Sequence, residues 1–209
     1  MDKCRHILRQ GLQQLALPVD EEKIDRLLAF IKLIGKWNKA YNLTAVRDER
    51  EMATLHILDS LAILPYVQGS RVADIGTGAG LPGIPLAIFL PQVEFTLVDS
   101  NSKKTRFVQQ AILELKLKNV TVKHSRVEQF TPSERFSTVI MRAFASLETI
   151  INLTRHLLAE EAVLLAMKGQ NPEQELMQLT EKYTVIPIDV PGIAAERCLV
   201  RIERQSKHG

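Results

Sequence analysis

The sequence predicts an α/β fold in which a doubly wound, mostly parallel sheet of seven strands follows a helical N-terminal segment. Three observations carry this reading. Short β-type apolar runs alternate with helical stretches from Gly69 onward, the first 68 residues read mostly as helix, and a glycine-dense turn, DIGTGAG, follows the first of the strands.

The elements follow in order. Residues 20–37, DEEKIDRLLAFIKLIGKW, place Ile24, Leu27, Leu28, Ile31, Leu33 and Ile34 on a helical stripe behind an acidic first turn that suits the helix dipole. A shorter helix precedes it, broken at Pro18, and another runs from about 49 to 64, carrying Met52, Leu55, His56, Leu58, Asp59 and Leu61, before Pro65 ends it. The rhythm then changes to the strand-like runs RVADIG, VEFTLVDS, VTVKHS, FSTVIMRAF, AVLLAMKG, YTVIPIDV and ERCLVRIE. Helices are expected between them near 83–90, 102–116, 147–158 and 172–182. The last two strands should form a hairpin at the edge of the sheet. With no repeat, low-complexity tract or long linker in view, the chain divides into a helical segment at 1–68 and an α/β domain at 69–209.

A length of 209 residues suffices for one full domain with an appendage, and 45% hydrophobic with 24% charged residues describes an ordinary soluble globule. Cys4 and Cys198 stand near opposite ends with no C-x-x-C spacing, so neither a disulfide framework nor a zinc site is signalled, and a cytosolic protein is expected. Charges in MDKCRHILRQG occupy the place of a signal-peptide core, and the longest apolar run, 81–90, is interrupted by Pro82 and Pro85; secretion and membrane insertion are not expected. A formal charge of +3 permits nucleic-acid binding without requiring it.

In an open parallel sheet the ligand lies beyond the carboxyl ends of the strands, so the glycine turn marks the place to look. Glycine admits unusual backbone angles and lets a ligand approach main-chain N–H groups. A nicotinamide fingerprint would place its third glycine at position 81, which is Leu81, and no G-K-[ST] follows for a phosphate loop. What remains is D-x-G-x-G-x-G, formed by Asp74, Gly76, Gly78 and Gly80, a pattern associated with S-adenosylmethionine. Asp99 closes the next strand, where an acid can accept hydrogen bonds from ribose hydroxyls. A plain glycine-rich surface turn, or a flavin or nicotinamide site, are the competing readings.

The stretches WNKAYNLTAVRD, HILDSLAI, DIGTGAGLPGIPLAI, FTLVDSNSKKTRFV, RVEQF, MRAFASL and MKGQ resemble the bacterial GidB/RsmG family, which methylates N7 of a guanine in 16S ribosomal RNA. The resemblance covers nearly the whole chain. It implies the Rossmann-like class I methyltransferase fold, S-adenosylmethionine as cofactor, and 16S rRNA or the small ribosomal subunit as partner for a cytoplasmic monomer. By matching motif it assigns cofactor contacts to Gly76 and Leu81, to Val127 and Glu128, and to Arg142. Gly78 joins them as the central glycine of the turn, and Asp99 follows from the general pattern of the fold.

The chemistry legible in the chain agrees with a ring-nitrogen target. Methylation of an exocyclic amine commonly comes with an N-P-P-[FY] or D-P-P-[FY] turn after the fourth strand, where this chain reads MRAFAS. Methylation of a pyrimidine carbon needs a cysteine nucleophile, and both cysteines lie far from that strand in sequence. Guanine N7 has an in-plane lone pair and no proton to remove, so orientation and local field suffice and no general base is required. A methyltransferase of another substrate class, or a ribosome-assembly factor that binds the cofactor without turnover, are the alternatives.

Other residues keep two readings. Arg142 is either half of a structural ion pair or a cleft residue touching cofactor or RNA, and His56 and Asp59 are either a binding pair or a helix-capping pair packed on the sheet. Candidate RNA contacts are Lys103, Lys104 and Arg106 at a helix start, Lys123, His124 and Arg126 near the end of the third strand, Lys168 after the fifth, and Arg197. A solvated cationic face is the plainer account of them. Trp37 and Tyr41, four apart on one helical face, read as core packing, and no metal site is expected.

Overall fold

The computed structural model describes residues 1–142 and 145–204. Seven strands, β1 (Arg71–Ile75), β2 (Glu94–Asp99), β3 (Val120–His124), β4 (Phe136–Arg142), β5 (Leu158–Lys168), β6 (Tyr183–Pro187) and β7 (Cys198–Glu203), form one sheet in the order β3-β2-β1-β4-β5-β7-β6. β7 pairs antiparallel with both β5 and β6, while the pairings among β1 to β5 are parallel, so the final hairpin sits at the sheet edge as expected. The strand order reverses between β1 and β4. Connections leave in opposite directions there, and a crevice opens above the carboxyl ends of the strands.

The N-terminal segment consists of α1 (Asp2–Gln14), α2 (Glu21–Tyr41) and a third helical stretch. α2 starts where the Asp20 carboxylate accepts the N–H groups of Glu22 and Lys23 at 2.9 and 3.2 Å, and it ends at Asn42, whose φ of 49° turns the chain out of the helix. Its stripe buries Phe30 against Phe107 of α6 (Ser102–Glu114), with ring centroids 6.2 Å apart. Trp37 stacks on Tyr41 at 5.1 Å and meets Phe107 edge-on at 5.8 Å, confirming both as core packing. Full burial of a phenylalanine contributes about 1.5–3 kcal/mol. One apolar cluster runs from Leu8 and Ile24 through Ile57 to Val72, Leu97 and Phe107, joining the helical segment to one face of the sheet. The opposite face packs Ile75 and Val139 under α7 (Leu147–Thr154).

The third helical stretch is continuous, with α3 (Glu49–Met52) and α4 (Asp59–Leu61) separated by a π-helical segment, Ala53–Leu58. Such bulges re-aim side chains within a helix. Two later elements differ from the pattern read in sequence. α7 stops at Thr154, passes through a 3-10 turn at Arg155–Leu157, and β5 begins at Leu158 because Leu158 pairs with Phe136 across a register shift in β4. The helix expected at 172–182 is only α8 (Glu173–Leu176): Leu176 is buried but Met177 is 80% exposed, so a longer helix has little apolar surface to bury.

Candidate functional site

β1 leads into Gly76, Gly78 and Gly80, all with positive φ of 70°, 59° and 83°. The three glycines do different work. A Cβ on Gly76 or Gly78 would meet nothing within 4 Å, whereas one on Gly80 would lie 2.5 Å from Ile84 Cδ1. Gly80 therefore serves packing against α5 (Gly83–Phe89), and the other two leave backbone bare toward open space. Gly78 N–H donates to Asp99 Oδ2 and Asn101 N–H to Asp99 Oδ1, both at 2.8 Å, which holds the glycine turn against the end of β2. Asn101 in turn caps α6 by accepting the N–H groups of Lys103 and Lys104.

Gly76 and Asp99 line a cleft of about 350 Å³ whose walls also include Ser100, Arg126, Val127, Glu128 and Met141. Each Asp99 oxygen has given one lone pair to a backbone N–H and retains another, so the carboxylate can still accept from hydroxyl groups in the cleft. Bare glycine backbone on one side and a hydrogen-bonding carboxylate at a strand end fit an adenosine-type cofactor.

A second cavity, of about 420 Å³, opens beside the first and is lined by His56, Asp59, Arg142, Met167, Lys168 and Arg197 among others. Met141 faces the cleft and its neighbour Arg142 faces this cavity, so the end of β4 divides them. The π-helical segment supplies His56, and Asp59 follows at the start of α4. Asp59 is buried yet ion-paired: its Oδ1 accepts Arg197 Nε at 3.2 Å and its Oδ2 lies 3.7 Å from Arg142. Burial pushes the Asp59 carboxyl up, and the two guanidinium groups oppose that rise. Burial, with Arg142 adding to it, holds His56 down at about 4, so the ring is neutral near pH 7, with Nε2 2.9 Å from Thr44 Oγ1. Thr44 belongs to a loop organised by Asn38, whose side chain donates to the Thr44 and Val46 carbonyls and accepts the Thr44 N–H.

Residues 23–198 match the model of the GidB family, described as rRNA small subunit methyltransferase G. The chain belongs to this family. It is 47% identical to Ribosomal RNA small subunit methyltransferase G of Legionella pneumophila over 98% of this chain and 97% of that one. To the protein of the same name from Chromohalobacter salexigens it is 50% identical over 96% and 98%. Among solved structures it resembles the N-methyltransferase NodS of Bradyrhizobium japonicum in complex with S-adenosyl-l-homocysteine, with a TM-score of 0.55 at 16% identity, covering 85% of this chain and 98% of that chain. A predicted O-methyltransferase from Agrobacterium tumefaciens gives 0.57 at 22% identity, covering 74% and 82%. At such identities the likeness is one of fold, and that fold is the Rossmann-like methyltransferase sheet.

Against this family frame the residues read from sequence fall into three groups. Gly76, Asp99, Val127 and Glu128 line the cleft together, and Gly78 is tied to it through Asp99. Leu81 does not line it: its side chain is 7% exposed within the core, and its N–H closes the turn on the Thr77 carbonyl at 2.9 Å. Arg142 does not line the cleft either: it lies in the adjoining cavity, where it is ion-paired with Asp59. Arg197 and Lys168 join it there, away from the exposed face expected of phosphate contacts. Lys168 in particular is held inside the chain, with its side chain 9% exposed and Nζ donating to the Ala145 carbonyl at 2.7 Å beside Glu175. Ala143 and Phe144 of the MRAFASL stretch lie outside the described residues. Asn101 and Thr77 carry no motif signal for the cleft, although an Asn just before a helical run signals a cap.

Among the described residues no group of His, Cys, Asp and Glu could hold a metal ion, and no helix is long and apolar enough to cross a membrane. Lys103 and Arg106 are exposed, Lys104 is partly so, and among the described residues none of them joins an ion pair. Replacing all three with glutamine is expected to weaken binding to 16S rRNA, flatten the slope of log affinity against log salt by up to about two to three units, and leave cofactor affinity unchanged. A filter-binding salt titration with the wild-type slope would reduce them to a solvated face.

Beneath the glycine turn, fully buried Asp74 accepts the Thr77 hydroxyl and the Gly83 N–H through Oδ2, at 2.7 and 2.8 Å. Its Oδ1 has no partner among the described residues, and burial pushes the carboxyl up to about 7. The folded chain thus keeps a proton between about pH 4 and 7 that the unfolded chain releases. The stability contributed by this group is full below pH 4 and declines as pH rises through that window. In urea titrations the stability difference between wild type and Asp74→Asn should fall by up to about 1.4 kcal/mol per pH unit there. A difference independent of pH would mean that Asp74 is ionised in the fold.

Proposed function

We propose that this chain transfers a methyl group from S-adenosylmethionine to N7 of one guanine in 16S ribosomal RNA. The observation that carries the proposal is the family membership together with a cleft whose glycine backbone and Asp99 are arranged for that cofactor. When bound, the cofactor supplies an electrophilic sulfonium methyl. Gly76 and Gly78 would let it approach the backbone and Asp99 would accept hydrogen bonds from it, with Val127 and Glu128 lining the same cleft.

The remaining chemistry asks little of the chain. N7 carries a free lone pair, so no side chain has to accept a proton, and the protein's part is to orient the base and exclude water. The alternative of attack by a cysteine loses support for a reason that distance in sequence did not supply. Pairing of β5 with β7 brings Cys198 opposite Lys168 and into the second cavity. Its thiol, however, is buried, pushed up by that burial, and donates to the Gln170 carbonyl at 3.3 Å, the opposite of an activated thiolate.

N7 of guanine in an A-form duplex lies in a deep, narrow groove closed to side chains, so the reading requires a loop, bulge or opened substrate. It also takes the enzyme to act as a monomer in the cytoplasm, on rRNA or on small subunits. The test is to incubate enzyme and cofactor with 16S rRNA, free small subunits and whole ribosomes, then treat the RNA with borohydride and aniline. A fixed positive charge on the imidazole ring makes the modified nucleotide labile, so one new cleavage site is expected. Methyl incorporation without that cleavage, with mass spectrometry placing it on an amine or a ribose hydroxyl, overturns the N7 assignment.

A further inference from the structure

The cavity beside the cofactor cleft combines three features: a π-helical segment, a buried carboxylate with spare acceptor capacity, and a shared wall with the cleft at the end of β4. Resting on the function proposed above, we infer that this cavity receives the target base and that Asp59 selects guanine by accepting its N1–H and 2-amino donors. A carboxylate is an acceptor only. Guanine alone among the four RNA bases presents two adjacent N–H donors on its Watson–Crick edge; adenine and cytosine each present a ring-nitrogen acceptor there, and uracil flanks its single N–H with carbonyls.

The ion pairs leave room for that bond. Oδ1 is engaged by Arg197 Nε at 3.2 Å, but Arg142 stands 3.7 Å from Oδ2, beyond hydrogen-bonding distance. Burial raises the Asp59 carboxyl and the two arginines oppose that rise, and a base lacking the matching donors would leave the remaining acceptor sites of this buried group without partners. Discrimination by an unpaired buried group is the strong kind. Orientation follows from the shape of a purine: N7 lies on the imidazole side, away from the Watson–Crick edge. A guanine held at Asp59 therefore turns N7 away from the carboxylate, and the cofactor cleft begins at Met141, next to Arg142. The neutral His56 beside it adds no charge to a ring that becomes cationic on methylation.

The test compares two RNAs, one with guanosine and one with inosine at the target position; inosine keeps N7 and N1–H but lacks the 2-amino group. Wild-type enzyme should prefer guanosine by about tenfold or more in kcat/KM, as one lost charge-assisted hydrogen bond implies. Asp59→Asn, whose amide keeps one acceptor and introduces a donor, should methylate the guanosine RNA at least about a hundredfold more slowly. Its guanosine-to-inosine preference should shrink to within about threefold, with calorimetric cofactor affinity unchanged. A merely structural ion pair would lower activity and leave the preference intact, which overturns the inference. Should Asp59→Asn fail to fold, the wild-type comparison decides alone: equal kcat/KM for the two RNAs overturns it. Absence of any N7 methylation by the wild type defeats the proposed function itself, an outcome distinct from loss of base preference.

Discussion

Gly78→Val should yield a folded protein with no measurable affinity for S-adenosylmethionine. Gly78 has a φ of 59°, a region in which an L side chain costs about 1–2 kcal/mol and a β-branched one more. Its Cβ would nevertheless meet no protein atom within 4 Å, so the added bulk has room in the protein alone and instead fills space where the cofactor must approach the backbone. We expect a fall of several degrees in Tm, in keeping with that strain, and complete loss of calorimetric heat and methyl transfer. Gly80→Val separates packing from binding: its Cβ would stand 2.5 Å from Ile84 Cδ1, so the core itself must shift and the loss should be mainly of stability. Cofactor binding by Gly78→Val at the wild-type level would remove the glycine turn from the cofactor site.

Asp99→Ala should weaken cofactor affinity about tenfold or more, through a charge-assisted hydrogen bond worth about 1.5–3 kcal/mol. The fold adds a second consequence. Because this carboxylate also accepts the N–H groups of Gly78 and Asn101, its removal leaves two backbone donors without partners and loosens the turn that it holds. Tm should fall along with affinity. Asp99→Asn keeps the shape of the group and one acceptor, so it should recover part of the stability while still binding the cofactor poorly. Calorimetry and thermal denaturation on both variants distinguish the two contributions. Unchanged affinity in a folded Asp99→Ala would confine the residue to a structural role.

Both predictions rest on features legible in the sequence alone. The order Asp74, Gly76, Gly78, Gly80 and then Asp99 is local chemistry, since a turn with positive φ needs glycine and a strand that ends at a ligand needs a polar terminus. That Gly80 serves packing while Gly76 and Gly78 face open space depends on where Ile84 and the cleft lie, and no spacing rule carries that distinction. Leu81 and Lys168 show the same gap. Motif position placed one in the cofactor site and charge placed the other on RNA, but the core encloses the first, and Glu175 and the Ala145 carbonyl enclose the second.

The sequence by itself determined the alternation of strands and helices, the amphipathic N-terminal segment and the glycine turn, because each is written in periodicity and backbone preference over a few adjacent residues. The tertiary structure alone decided the second cavity. His56 and Asp59 from the helical segment, Arg142 from the end of β4, and Arg197 and Cys198 from the residue before the last strand and its start lie far apart in sequence, Asp59 and Arg197 by 138 positions, and they meet because β7 inserts beside β5 and the N-terminal helices pack over the same end of the sheet. Long-range pairing of this kind is set by which apolar faces bury one another, and a charged residue's neighbours then follow from the packing of others.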